Sequence, residues 1–148
     1  MGRKRSQPRS HCPISFALEI FGDPWTLLIL RDAIYLGKRR YGEFLKSQER
    51  IATNILADRL ERLIRQGLLS RSVVEVAPGG PFYEPTEKSL TLLPILVEIA
   101  LWSTRYDPES SLPAAISRRM RADRDGFIRG IRKRVRAGLP GLERPPES

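Results

Sequence analysis

The run from Arg50 to Leu69 constrains this chain more than any other stretch. Leu56, Leu60, Leu63 and Ile64 recur at the i, i+4, i+7, i+8 spacing of one buried helical stripe. Asn54, Asp58, Glu61, Arg62 and Arg65 lie on the opposite side, at about 100° per residue, and make a polar strip directed at solvent or a partner. That strip combines an amide, carboxylates and guanidinium groups, side chains able to address base edges and phosphates. Gly67 suits the residue just past a helix end, and the β-branched stretch from Leu68 to Val76 then reads as a strand.

Charge supports a polyanionic partner. The chain has 148 residues and a net charge of +9, unevenly distributed. Residues 1–11 hold Arg3, Lys4, Arg5 and Arg9 with no acid, and residues 113–148 hold ten bases against four acids. The intervening body has a net charge of −1, yet within it residues 38–71 carry nine bases and four acids. The folded body is therefore polarised, and its positive segment contains the amphipathic helix, the footprint of a nucleic-acid reader. No apolar run reaches the ~20 residues of a membrane span, and the basic N-terminal stretch lacks the apolar core of a secretory signal. The single cysteine, Cys12, permits no internal disulfide and fits a reducing cytoplasm. No membrane partner and a cytoplasmic location are expected.

The remaining elements follow from capping and periodicity. Residues 1–11 are read as a disordered basic arm. Pro13 to Phe21 is a short helix ended by Gly22. Asp23 and Pro24 read as N-cap and first residue of a second helix, Trp25 to Leu36, apolar nearly all round and so central to the core. A third helix, Tyr41 to Gln48, precedes the amphipathic helix from Thr53 to Gln66. A hairpin follows, with Ala77 to Pro81 at its tip. Thr86 then caps one long fifth helix, Glu87 to Tyr106. Residues 107–137 form a basic helical extension of one or two amphipathic helices, and residues 138–148, rich in Gly and Pro, a disordered tail.

Three stretches carry a resemblance: Cys12-Pro13 opening the first helix; Gly22 to Ala33 followed by Arg39-Arg40-Tyr41 and Phe44; and Ile51 to Leu63 with Gly67-Leu68 and then Tyr83 to Lys88. Together they resemble the HxlR-type helix-turn-helix regulators, relatives of the MarR winged-helix group, over about residues 12–106. The fold expected is mainly α with a small β-hairpin: a winged helix-turn-helix that dimerises through its terminal helices. The resemblance implies a homodimer that binds pseudo-palindromic operator DNA as a repressor or activator, with the helix from Thr53 in the major groove and Gly79 and Gly80 in the wing. It also implies an oxidant or small-molecule signal, because some members respond to oxidants through a cysteine near the position of Cys12. The chain departs from the family in two places. Its wing tip carries no arginine, and Ser89 stands where a glycine is usual.

The residues divide by role. Thr53, Asn54, Asp58 and Arg62 are the candidates for reading bases. Thr53 and Asn54 also suit N-capping, and Asp58 with Arg62 suits an i, i+4 ion pair. Lys38, Arg39, Arg40, Lys46, Arg50 and Arg65 are candidates for phosphate contacts. Arg59 is expected in a structural ion pair with Asp32 or Glu19. Trp102 and Tyr106 are candidates for the dimer interface. Cys12, beside His11 at a helix N-terminus, is either a reactive thiol or a small packed residue. No metal-ligand spacing, phosphate loop or catalytic triad is present, so neither an enzyme nor a cofactor is expected. The alternative function is a protein-interaction module with non-specific nucleic-acid affinity.

Overall fold

The computed structural model describes residues 7–72 and 80–143, in the order α1 (Pro13–Phe21), α2 (Thr26–Ile34), α3 (Tyr41–Leu45), α4 (Thr53–Arg65), β1 (Leu69–Ser72), β2 (Phe82–Pro85), α5 (Glu87–Leu90), α6 (Leu93–Tyr106), α7 (Ala114–Ala122) and α8 (Arg124–Arg136). Helix α2 is the core helix, with Ile29, Leu30, Ala33 and Ile34 buried. It begins later than the sequence suggests. Asp23 caps it from outside: one carboxylate oxygen accepts from the N–H groups of Trp25 and Thr26 at 2.9 and 3.0 Å, and the other accepts from the Thr26 hydroxyl. Trp25 is thus the N-cap, and Pro24 lies in the preceding turn rather than at the first helical position.

Helix α3 stops at Leu45 rather than Gln48. Beyond it the chain tightens into three-residue turns, with Lys46 N–H on Glu43 O and Ser47 N–H on Phe44 O, both at 3.2 Å. Arg50 then adopts φ 58°, in the left-handed region that reverses the chain into α4. Thr53 is the first residue inside α4, Ala52 is the N-cap, and no side chain caps the helix, so the capping role considered for Thr53 does not hold. The far end is as expected. Gly67, at φ 72°, lets its own N–H reach Ile64 O at 3.0 Å and the Leu68 N–H reach Leu63 O at 2.8 Å, closing α4 with a Schellman motif.

Strands β1 and β2 pair antiparallel from Leu69↔Pro85 to Ser72↔Phe82. Arg40 bridges Phe82 on the other side, and the Tyr83 N–H donates to Arg39 O at 2.7 Å, which ties the segment before α3 to the hairpin. Gly80 turns into β2 at φ 84°, while Gly79 and the strand expected over residues 73–76 lie outside the described residues.

The single long helix expected from Glu87 to Tyr106 is two helices. Pro94 lacks an N–H and would clash with the Leu90 carbonyl one turn back, so the helix restarts at Leu93. Ser89 is fully buried; its hydroxyl donates to Thr86 O at 2.7 Å, which shows how a side chain is accommodated where the family has glycine.

The C-terminal extension is part of the core. Met120 of α7 and Phe127, Ile128, Ile131 and Val135 of α8 join the same buried cluster as α2, α4 and α6. Residues 138–143, expected as disordered tail, fold back over the end of α2. There Gly141 N–H donates to Ile34 O at 2.8 Å and Leu142 N–H to Tyr35 O at 3.1 Å. Near the other end of the chain, Arg9, expected in a disordered arm, pairs with Glu19 at 2.5 Å.

Asp23 also pairs with Arg59 of α4 at 3.0 Å. Burial pushes its carboxyl upward, but the hydrogen bonds from Thr26, Trp25 and Arg59 outweigh this and hold the pKa below its ordinary value. A carboxyl depressed in the folded state stabilises fully above its unfolded pKa, about 3.9, and the stabilisation is lost as pH falls through the folded value. Asp23→Ala is therefore expected to cost ~1–2 kcal/mol at pH 7 through loss of the cap. Urea titrations should also show that the variant loses less stability than the native chain between about pH 5 and pH 2.

Candidate nucleic-acid interface

Burial on α4 separates a packed face from a presented one. Leu56, Leu60 and Leu63 are at most 2% exposed and hold the helix against the core. Burying each leucine contributes roughly 1.5–3 kcal/mol, so the face turned outward is firmly determined. Thr53, Asn54, Ala57, Asp58, Glu61 and Arg65 are exposed. Asn54, Asp58, Glu61 and Arg65 follow one another at i, i+4, i+7, i+11, a continuous strip along the helix.

Arg62 does not share that strip. It is half-buried and lines a recess with Ile20, Thr26, Leu63 and Gln66, on the side of α4 that faces α1 and α2. At about 80° from Asn54 around the helix it falls on the shoulder rather than the crest, which a list of polar positions does not distinguish. Nor does it pair with Asp58. Asp58 instead pairs with Arg59 at 2.5 Å, and Arg59 reaches on to Asp23. The structural role expected for Arg59 holds, with Asp23 in place of Asp32 or Glu19. Glu61 pairs with Arg71 of β1 at 2.8 Å, so the helix and the hairpin base share an ion pair.

The basic residues flanking α3 separate just as clearly. Lys38 donates to the buried carboxylate of Asp32 at 3.0 Å, and Arg31 reaches the other oxygen of the same group. A buried charge left without its partner is strongly destabilising, so Lys38 is committed to the fold. Arg39 is half-buried and donates to Ala33 O at 2.6 Å and Lys38 O at 2.9 Å, satisfying carbonyls at the end of α2. Both side chains are held by partners inside the fold. Arg40 lies 5.6 Å over the Phe82 ring and donates to Gly80 O at 3.2 Å, at the loop end of the hairpin. Lys46, Arg50 and Arg65 are exposed, and their side chains have no hydrogen bond or ion pair among the described residues. Arg31 grips Glu49 through two hydrogen bonds of 2.5 and 3.0 Å, fixing the turn that presents Lys46 and Arg50. Those hydrogen bonds hold the Glu49 carboxyl below its ordinary range. The sequence carried no sign of the Arg31–Glu49 grip, because its partners are eighteen positions apart.

The arrangement is therefore a short helix, a rigid turn bearing two free cations, a second helix with an outward polar strip, and an antiparallel hairpin. A family model for HxlR-like helix-turn-helix proteins matches residues 20–111. The chain belongs to the HxlR-like helix-turn-helix family. Among similar proteins, the HTH-type transcriptional regulator YdeP of Bacillus subtilis is 33% identical over 95 residues, covering 64% of this chain and 73% of YdeP. The HTH-type transcriptional regulator Rv3095 of Mycobacterium tuberculosis is 35% identical over 97 residues, covering 66% of this chain but 60% of that protein. Among solved structures, PA1607 is similar with a TM-score of 0.64 and 37% identity over 74% of this chain and 76% of its own. The reduced form of the B. subtilis transcriptional regulator YodB is similar with a TM-score of 0.55 and 25% identity, covering 68% of this chain and all of that one. This HxlR-family chain is a transcriptional regulator with a helix-turn-helix DNA-binding domain of winged-helix fold. The family match ends at residue 111, before α7, so α7 and α8 lie beyond the matched domain.

The division between committed and free cations can be measured without DNA. Arg39→Ala strands the Ala33 and Lys38 carbonyls and is expected to lower unfolding free energy by ~1–3 kcal/mol. Lys46→Ala removes an exposed, unpaired side chain and should stay within about 0.5 kcal/mol of the native value in the same denaturation experiment.

Proposed function

We propose that this regulator binds a pseudo-palindromic operator as a homodimer, with α4 of each protomer in the major groove. The observation that carries the reading is the exposed strip on α4 between free cations. Asn54 has the amide that pairs with adenine in two hydrogen bonds, Asp58 accepts from cytosine, and Thr53 at the helix start is within reach of base edges or phosphate. Lys46, Arg50 and Arg65 hold phosphates on either side, and Arg40 positions the hairpin.

Dimerisation is supported by an apolar seam left exposed among the described residues. On α6, Ile95, Ile99, Trp102 and Tyr106 recur at i, i+4, i+7, i+11, and Trp102 and Tyr106 are 68% and 65% exposed. Their rings stack obliquely, with centroids 5.3 Å apart. Ile14, Phe16 and Leu18 of α1 are also exposed. A two-fold pairing along such a seam is self-complementary and places two α4 helices to read two half-sites. Whether the dimer represses or activates depends on where its operator lies relative to a promoter.

A second reading concerns the signal and rests on Cys12. This exposed thiol sits at the N-cap of α1, where the N–H groups of Ser15 and Ile14 hold its pKa below the ordinary value. More of it is therefore thiolate at neutral pH, the form that oxidants attack. HypR, described as a redox regulator, is a structural relative with a TM-score of 0.56 and 30% identity. Oxidation at Cys12, beside the exposed apolar side chains of α1, would act on the dimer.

Selection from a random duplex pool is expected to return one inverted repeat. On it, Asn54→Ala should cost ~1–3 kcal/mol and relax the preferred base at its position. Lys46→Ala and Arg50→Ala should weaken all duplexes alike and each flatten the dimer's salt slope by about two units, one contact per protomer. Binding to all sequences equally would instead favour an interaction module with non-specific affinity. Trp102→Glu should give monomers in sedimentation at micromolar concentration; a native chain that is itself monomeric with and without the duplex contradicts the dimer. Cys12→Ser should bind DNA normally and abolish any loss of binding caused by peroxide or quinone treatment. Equal sensitivity of the variant would remove Cys12 from the signal.

A further inference from the structure

Helix α8 carries a basic ridge that neither the core nor the helix-turn-helix uses. Arg129, Arg132, Lys133 and Arg136 recur at i, i+3, i+4, i+7 and so line one face over two turns. Phe127, Ile128, Ile131 and Val135 are buried on the opposite side, which fixes the ridge outward. Arg129 and Lys133 are exposed, and their side chains have no hydrogen bond or ion pair among the described residues. Glu87 is the carboxylate that faces the ridge: Arg136 holds it through two hydrogen bonds of 2.8 Å, and Arg132 acts on it by charge. Asp125 shares the face one turn before Arg129, so the positive potential is concentrated toward the C-terminal half.

Two further observations point to the partner. The first is position. Arg136 is anchored on Glu87, and the next residue, Lys88, donates to Gln66 O at 2.6 Å, at the end of α4. The C-terminal end of the ridge is therefore linked through Glu87 and Lys88 to the end of α4, near Arg65, whose side chain is exposed and unpaired among the described residues. The second is relief. Gly130 lies beside Arg129 and Lys133, and a Cβ placed there would meet nothing within 4 Å. Packing does not require glycine at this site, and glycine weakens a helix interior. The bare backbone beside the cations leaves room for a sugar-phosphate chain to come close.

We propose that the α8 ridge is a second DNA contact, holding the phosphate backbone of duplex that flanks the bases read by α4. This rests on the reading of α4 as the groove helix. Duplex DNA is the occupant favoured because the ridge is strongly cationic and the Glu87–Lys88 segment links its C-terminal end to the end of α4. Duplex that runs on from α4 presents a uniform line of phosphates, which a row of cations with Arg129 and Lys133 unpaired matches. The contact is indifferent to sequence: it adds affinity and salt dependence, while base choice stays with α4.

The test uses the full chain and two duplexes, the selected core repeat alone and the same core extended by ~15 base pairs on each side. The triple variant Arg129→Gln, Arg132→Gln, Lys133→Gln leaves the Arg136–Glu87 pair in place. It is expected to bind the core within twofold of the native chain and to bind the extended duplex more weakly. Its salt slope on the extended duplex should be smaller by up to about 5.4 for the dimer, three contacts per protomer at about 0.9 each. Gly130→Glu, which adds a carboxylate in open space and removes no cation, should weaken the extended duplex in the same selective way. If flanks add nothing to native binding and both variants match it, the ridge proposal fails while the groove reading stands. Equal weakening on both duplexes likewise rules out a flanking contact. Unchanged DNA binding with lost binding to polyglutamate would make the ridge an acidic-peptide surface instead. If the native chain selects no duplex at all, the groove reading fails and takes the ridge contact with it.

Discussion

Carboxylates at the two ends of α2 hold the DNA-facing unit in place. Asp23, at the start, caps α2 and pairs with Arg59 on α4. Asp32, near the end and 2% exposed, takes Lys38 and Arg31, and Arg31 in turn grips Glu49 in the turn before α4. The leucine stripe of α4 supplies the burial energy, but apolar contacts are non-directional and tolerate sliding and rotation. Charged hydrogen bonds at defined positions set how far along α2 the helix sits and which face it turns outward. Asn54, Asp58 and Arg65 are presented because Asp23 and Asp32 fix what lies behind them.

The same economy governs the positive charge. Residues 38–71 carry nine bases, yet the fold commits Lys38 to Asp32, Arg39 to backbone carbonyls, Arg59 to Asp23 and Arg71 to Glu61. Lys46, Arg50 and Arg65 remain free, in the turn and on the last turn of α4. Net charge draws a protein toward a polyanion at long range, but only side chains without internal partners can release counterions on contact. The working interface is thus smaller and better placed than the charge count implies.

Helices α7 and α8 extend the matched domain without standing apart from it. Their apolar residues merge with the buried cluster around α2 and α6, and residues 138–143 close over the end of α2. Gly138, at φ 78°, makes that return possible by ending α8 in the left-handed turn that also ends α4 at Gly67. Burying one side of α8 necessarily presents the other, which is how an arginine-rich segment becomes a fixed ridge.

The bounds of α1 and α4, the Gly67 stop, the hairpin and the division into a mainly helical fold with a small β element could be read from the sequence. Local periodicity, capping and glycine placement decide these, and the residues concerned are near neighbours in the chain. The ordered family motifs added the DNA-binding role on the same basis. What local pattern could not settle was partnership at long range. Pro94 broke the expected long helix through a local clash, but Arg62 lay on the shoulder of α4 because α1 and α2 pack there. Lys38 and Arg39 are drawn inward because Asp32 and the Ala33 carbonyl of α2 lie within reach. Residues 138–143 became ordered because the exposed end of α2 needed a cover. Sequence alone determined which helices form and which stripe of each is apolar. Tertiary structure decided which of many similar cations stay free, because an arginine's role is set by whichever acceptor the fold brings within about 3 Å.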